Sequence, residues 1–124
     1  MHLKNFDDKA PIYLQIMNDI KRDIIAGDLK GGSKLPSVRE MAENKRVNPN
    51  TIQRAYQELE RENVTFTQRG MGTFITENTE ILSNLKSEMC KEVITDFINN
   101  LKSFGFSNNE IIDIIKNYLE KENL

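Results

Sequence analysis

Between residues 46 and 57 the chain reads RVNPNTIQRAYQ, and several of its side chains have hydrogen-bonding groups suited to the edge of a nucleobase. Asn50 and Gln53 can each bond an adenine with two hydrogen bonds, Arg54 can do the same to a guanine, and the Thr51 methyl can meet that of thymine. Asn48 and Pro49, just before them, are residues that start a helix. The asparagine oxygen caps a first-turn amide, and proline at the first helical position sacrifices no hydrogen bond. One cap is enough to start a helix, so Asn50, Thr51, Gln53 and Arg54 go beyond what initiation requires. An α-helix fits the major groove of DNA, and in a helix-turn-helix the first residues of the second helix meet the base edges. The segment 44–57 contains no Asp or Glu while carrying Lys45, Arg46 and Arg54, and 63–76 is also free of acids and carries Arg69. Each of these residues alone would be an ordinary solvated position; together, on one turn of one helix, they point to duplex DNA.

Positioning such a turn takes a scaffold, and the hydrophobic pattern supplies one. Tyr13, Ile16, Met17, Ile20 and Ile24 recur at helical spacing from Pro11 to Ala26, and Gly27 marks a stop. After a loop holding Gly31 and Gly32, Ser37 and Glu40 form a capping box that opens a second helix to about Asn44. A turn over 45–47 leads to the third helix, which runs to about Glu62 with Ile52, Ala55, Tyr56 and Leu59 on its apolar face. Asn63 is suited to the left-handed conformation that ends a helix. The segments 64–68 and 73–76 alternate as strands about the turn Arg69-Gly70-Met71-Gly72, whose glycines permit positive φ. Three helices and a hairpin outline a winged helix-turn-helix, expected over residues 1–76.

From residue 77 to 124 the pattern becomes purely helical. Ile81, Leu82, Leu85, Met89, Val93, Phe97, Leu101 and Phe104 recur every three or four residues until Gly105. A second capping box, Ser107 with Glu110, opens a last helix carrying Ile111, Ile112, Ile114, Ile115, Tyr118 and Leu119, with Phe106 and Ile111 spaced as a hydrophobic staple. The expectation is a two-helix hairpin whose wide apolar stripes need a partner surface, most simply a second copy of the chain. The dimerisation residues would be Leu82, Leu85, Met89, Val93, Phe97, Leu101 and Phe104 with Ile111, Ile115 and Tyr118. The fold class expected is therefore mainly α with one small β-hairpin.

Composition narrows the function classes. The 124 residues carry a formal charge of −2, unevenly spread: residues 1–76 hold 12 Lys+Arg and 10 Asp+Glu, and residues 77–124 hold 5 and 9. Local charge, more than the total, sets affinity for phosphate. No apolar run is long enough to span a membrane, and MHLKNFDDKAP lacks the apolar core of a signal peptide, so a cytoplasmic protein is expected. The single cysteine, Cys90, excludes a disulfide framework and is expected to be buried or half-buried in its amphipathic helix. The single histidine, His2, is expected to be disordered. There is no nucleophile–base motif, phosphate loop or metal-ligand spacing, so neither an enzyme nor a cofactor is expected. A small-molecule effector, if there is one, would sit among Met89, Phe97, Phe104 and Tyr118, where a packed interface is the simpler reading. A winged-helix protein–protein module is the alternative from another class; it would show no salt-dependent binding to random duplex DNA.

The stretches PIYLQIMNDIKRDIIAGDL, LPSVREMAE, VNPNTIQRAYQELERE and QRGMGTFI, in this order from Pro11 to Thr76, resemble the DNA-binding domain of GntR-family bacterial transcription regulators. The short tail resembles that of the YtrA-like subfamily. The resemblance implies DNA contacts from Ser37 and Arg39 at the second helix. It further implies major-groove reading by Asn48, Pro49, Asn50, Thr51, Gln53 and Arg54, and a wing made of Arg69, Gly70, Met71, Gly72 and Thr73. It also implies a homodimer on an inverted-repeat operator, most often a repressor of an ABC transporter operon and of its own gene. Two departures stand out. Lys45-Arg46 occupy the place of a frequent Leu-Gly and could add phosphate contacts, and Val64-Thr65 are less apolar than the usual start of the wing.

Overall fold

The computed structural model describes residues 10–122, in the order α1 (Ile12–Ala26), α2 (Val38–Lys45), α3 (Pro49–Arg61), β1 (Thr65–Gln68), β2 (Gly72–Ile75), α4 (Thr79–Ser103) and α5 (Asn108–Glu122). His2 lies outside the described residues. The local signals work where they were expected. Ser37 Oγ accepts from the Glu40 amide and Glu40 Oε1 from the Ser37 amide, both at 3.1 Å. Ser107 and Glu110 repeat this reciprocal box at the start of α5. Gly27 (φ 87°) and Asn63 (φ 63°) end α1 and the α3 segment in the left-handed region.

The chain divides into two compact units, one ending at Lys86 and the other beginning at Ser87, so the division falls inside α4. In the first, α1 and α2 both pack on α3. Ile16, Ile20, Leu35, Met41, Ile52, Leu59 and Ile75 are fully buried and form one cluster with Ala55, Tyr56 and Val64. Each contributes roughly 1.5–3 kcal/mol by leaving water if it is a large aliphatic or aromatic side chain. Leu85 belongs to this cluster and Leu82 packs against it. Leu85 is thereby buried and Leu82 half-buried within one chain; both were expected in a dimer seam, and this packing leaves that expectation open.

The loop before α2 makes a pairing that the hydrophobic pattern does not reveal. The Leu35 amide donates to the Thr73 carbonyl (2.8 Å), the Ile75 amide to that of Ser33 (2.9 Å) and the Gly32 amide to that of Ile75 (2.8 Å). Residues 32–35 thus run beside β2 without forming a strand of their own, joined to it by these bonds and an isolated bridge between Lys34 and Phe74. On the other side β1 and β2 pair antiparallel from Thr65–Ile75 to Gln68–Gly72. The Thr67 amide also donates to Glu60 Oε1 at 2.7 Å, tying the hairpin to α3.

Three expectations need correction. Lys45 does not reach solvent: its side chain is 3% exposed and its Nζ lies 3.6 Å from Asp19 Oδ2, an ion pair that joins α2 to α1. Burying a lysine requires such a partner, which removes Lys45 from any surface that meets phosphate. Cys90 is exposed, not buried, because nothing within the second unit covers its side of α4. Finally, the two tail helices turn at Gly105 (φ 95°) as expected, yet among the described residues α5 makes no close backbone approach to α4. Ile111 is buried and Ile115 half-buried, while Ile112, Ile114, Tyr118 and Leu119 stay exposed, as do Val93, Ile94 and Phe97 on α4 and Phe104 in the turn after it. The stripes are therefore only partly covered within one chain, as expected of two helices that need a partner surface. No helix of the described residues is long and apolar enough to cross a membrane.

Candidate nucleic-acid interface

The start of α3 is built for exposure. Asn48 Oδ1 accepts from the Asn50 amide at 2.8 Å, and the Thr51 amide donates to the Asn48 carbonyl at 2.9 Å. Asn48 and Pro49 therefore act in initiation. The buried side of the helix is Ile52, Ala55, Tyr56 and Leu59. Away from that side, Asn50, Gln53 and Arg54 are exposed and Thr51 is half-buried. No acid occupies the first turn of α3. The positive end of the helix dipole is thus left without a counter-charge on its own first turn.

Tyr56 reaches from the buried side of α3 to the Pro36 carbonyl (2.7 Å), linking the recognition segment to the start of α2. Burial raises its hydroxyl's pKa well above the ordinary tyrosine value, with the Glu40 charge adding to the effect, so the phenol remains a donor. Arg39 is exposed on α2, beside Glu40 and Glu43, so the α2 surface carries both signs of charge. The Ser37 backbone amide, and then its hydroxyl, hold the Glu40 carboxyl below its usual range. Ser37 is in this way committed to its cap.

In the wing, Arg69 and Gly70 are exposed and Met71, at the tip, is 61% exposed. The turn closes through the Met71 amide and the Gln68 carbonyl (2.9 Å). Gly72 (φ 119°) is required by its backbone, which an L-residue rarely adopts, while a Cβ there would only push aside the flexible end of Lys34, whose Cε would lie 2.6 Å from it. Thr73 is half-buried, its hydroxyl 3.5 Å from that of Thr67. Phe66 and Phe74 stack with centroids 5.7 Å apart and stiffen the hairpin face.

Two residues of this surface escape a reading of sequence alone. Lys34 lies outside both acid-free windows, but the bridge to Phe74 lays it over Gly72, adding a cation to the wing. Tyr13 follows the apolar stripe of α1, yet its ring lies 3.9 Å from Arg54 Cζ and its hydroxyl accepts from Arg54 Nη2 at 3.3 Å. No local sequence signal joins positions 41 apart. Among the described residues, no group of His, Cys, Asp or Glu could hold a metal ion.

Residues 12–75 match the family described as bacterial regulatory proteins, gntR family. The chain is 45% identical over 115 residues to the uncharacterized HTH-type transcriptional regulator YhcF of Bacillus subtilis (strain 168), covering 93% of this chain and 95% of that one. It is 47% identical over 90 residues to the HTH-type transcriptional repressor YtrA of the same organism, covering 72% and 69%. Among solved structures, a GntR family transcriptional regulator from Listeria monocytogenes superposes with a TM-score of 0.83 at 40% identity, over 90% of this chain and 98% of that one. AraR(DBD) in complex with operator ORX1 superposes with a TM-score of 0.56 at 26% identity, over 61% and 99%. The exposed first turns of α3, the wing that follows the helix and these matches lead to one conclusion: the chain belongs to the gntR family of bacterial regulatory proteins, DNA-binding transcription regulators and not enzymes.

Proposed function

We propose that this regulator is a cytoplasmic repressor that binds an inverted-repeat operator as a homodimer, reading each half-site with α3 and bracing on the wing. The observation that carries the reading is the acid-free first turn of α3, with Asn50, Gln53 and Arg54 exposed beside it. The similarity to a protein named as a repressor and to an operator-bound domain supports it. Its target would include its own gene and an ABC transporter operon, the association first suggested by the YtrA-like resemblance. Asn50, Thr51, Gln53 and Arg54 would read bases, and Arg39, Arg46, Arg69 and Lys34 would meet backbone phosphates.

Dimerisation would use the second unit. Its exposed apolar residues, with Phe104 72% exposed, make a surface that a second copy can cover. Because the stripes are only partly covered within the chain, the two copies would cover each other's. The test is a footprint on DNA upstream of the gene, followed by titration of the protected duplex and of random duplex. Placing glutamate at both Val93 and Phe97 is expected to give a monomer in sedimentation. Affinity for the full operator would fall roughly 100-fold while that for a single half-site is kept. A variant that remains dimeric with full affinity would refute the tail assignment.

Arg46 offers an independent check. It holds φ 57° at the C-cap of α2, a conformation that costs an L-residue about 1–2 kcal/mol, whereas glycine there loses about 0.5–1 kcal/mol through its unfolded-state freedom. Arg46→Gly is therefore expected to raise stability by about 0.5 kcal/mol. The same change would weaken operator binding and flatten the salt dependence of log K by about 0.9. Chemical denaturation and a salt titration read the two effects separately.

A further inference from the structure

We propose that Tyr13 is a positioning residue for DNA reading, holding the Arg54 guanidinium in place before DNA arrives. The inference rests on Arg54 being a DNA contact, as proposed above. Tyr13 is half-buried and packs against the core, so its ring is a fixed platform and not a mobile side chain. Arg54 Cζ sits 3.9 Å from the ring centroid, well inside the range of a cation–π contact, and Nη2 donates to the hydroxyl at 3.3 Å. One contact restrains the plane of the guanidinium and the other its rotation.

The chemistry of the holder matters as much as its geometry. A carboxylate could orient an arginine equally well, but it would cancel the charge that attracts phosphate and occupy the fork that grips a guanine edge. A phenol ring takes one face of the guanidinium and a single donor. The other in-plane N–H groups remain available for a bidentate contact. The charge also stays uncompensated, in keeping with the lack of acids from 44 to 57. An arginine held this way has lost part of its rotamer freedom in the free protein, so less is lost on binding.

The test uses the full chain with Tyr13→Leu, which keeps apolar packing against the core, and Tyr13→Phe, which keeps the ring, each alone and combined with Arg54→Ala. Tyr13→Leu is expected to weaken binding to the footprinted operator roughly three- to ten-fold when Arg54 is present. In the Arg54→Ala background it should have no effect, and Tyr13→Phe should retain most of the affinity. An equal loss with and without Arg54 would mean that Tyr13 serves the fold or touches DNA itself, and the proposal would fail. If Arg54→Ala weakens binding but Tyr13→Leu does not, the proposal fails and the reading of α3 stands. If Arg54→Ala has no effect, the reading of Arg54 itself falls. A measurement without DNA keeps the proposal testable should a variant lose stability. Nitrogen relaxation of the Arg54 side chain is expected to show it ordered in the free protein and in Tyr13→Phe. A mobile Arg54 in the unmodified protein would overturn the proposal.

Discussion

Replacing Leu59 with alanine is expected to lower the stability of the first unit by about 2–5 kcal/mol. Leu59 is fully buried on the inner side of α3, among Ile16, Ile20, Ile52 and the rest of the cluster that seats α1 and α2 on that helix. Removing three carbons there loses their transfer energy and leaves a cavity that helices packed from two directions cannot fully close. The backbone bond from the Val64 amide to the Leu59 carbonyl (3.0 Å), at the entry to the wing, would remain, so the loss is one of packing alone. Since a domain of this size is stable by about 5–15 kcal/mol, the loss takes a large fraction of the total. The check is a urea or thermal midpoint. An unchanged midpoint would mean that α3 is not the centre of the core. Operator binding should weaken only as far as the unfolded fraction grows, which separates this variant from those of the DNA-facing side.

Replacing Arg54 with alanine has the opposite profile. Its side chain is exposed, so the unfolding midpoint is expected to move little, while operator affinity falls roughly 10- to 100-fold, as for the loss of one good bidentate contact. Two further readings decide what Arg54 touches. If it grips a base pair, substituting that pair in the duplex will cost the unmodified protein affinity and the variant nothing. If it grips phosphate, the variant will weaken all duplexes alike and its salt slope will be shallower by about one. Unchanged affinity on every duplex would remove Arg54 from the interface. Asn50 is the natural companion: it donates its backbone amide to the Asn48 cap, so truncating its side chain leaves that bond in place.

What the sequence showed depended on how far each signal reaches along the chain. Capping boxes at Ser37 and Ser107, the left-handed Asn63 and the glycine turn of the wing are decided by residues within three or four positions, and all were legible. The polar side of α3 was legible for the same reason, since a helix converts spacing directly into direction. Lys45 was misread because charge suggests solvent, and only the folded α1 brings Asp19 to it. The bridged segment 32–35 has no alternating pattern of its own and is placed only by bonds of Gly32, Ser33 and Leu35 with β2. Leu82 and Leu85 share one stripe with Val93 and Phe97. Periodicity shows that a stripe exists but not where along it the partner changes, and the change falls near Lys86. The separation of α5 from α4 was likewise invisible, because two adjacent amphipathic helices satisfy the same pattern whether they cover each other or a second chain.

The bridged segment beside β2 has a thermodynamic consequence for the wing. Isolated two-stranded hairpins are marginal in water, and a wing of that kind would have to condense as it met the duplex. Here the hairpin is bonded to Gly32, Ser33 and Leu35 on one flank and to Glu60 on the other, so it is already assembled in the free protein. Docking a preassembled wing buries surface without folding a segment. The heat-capacity change of association should then match the contact area alone, without the excess that marks coupled folding.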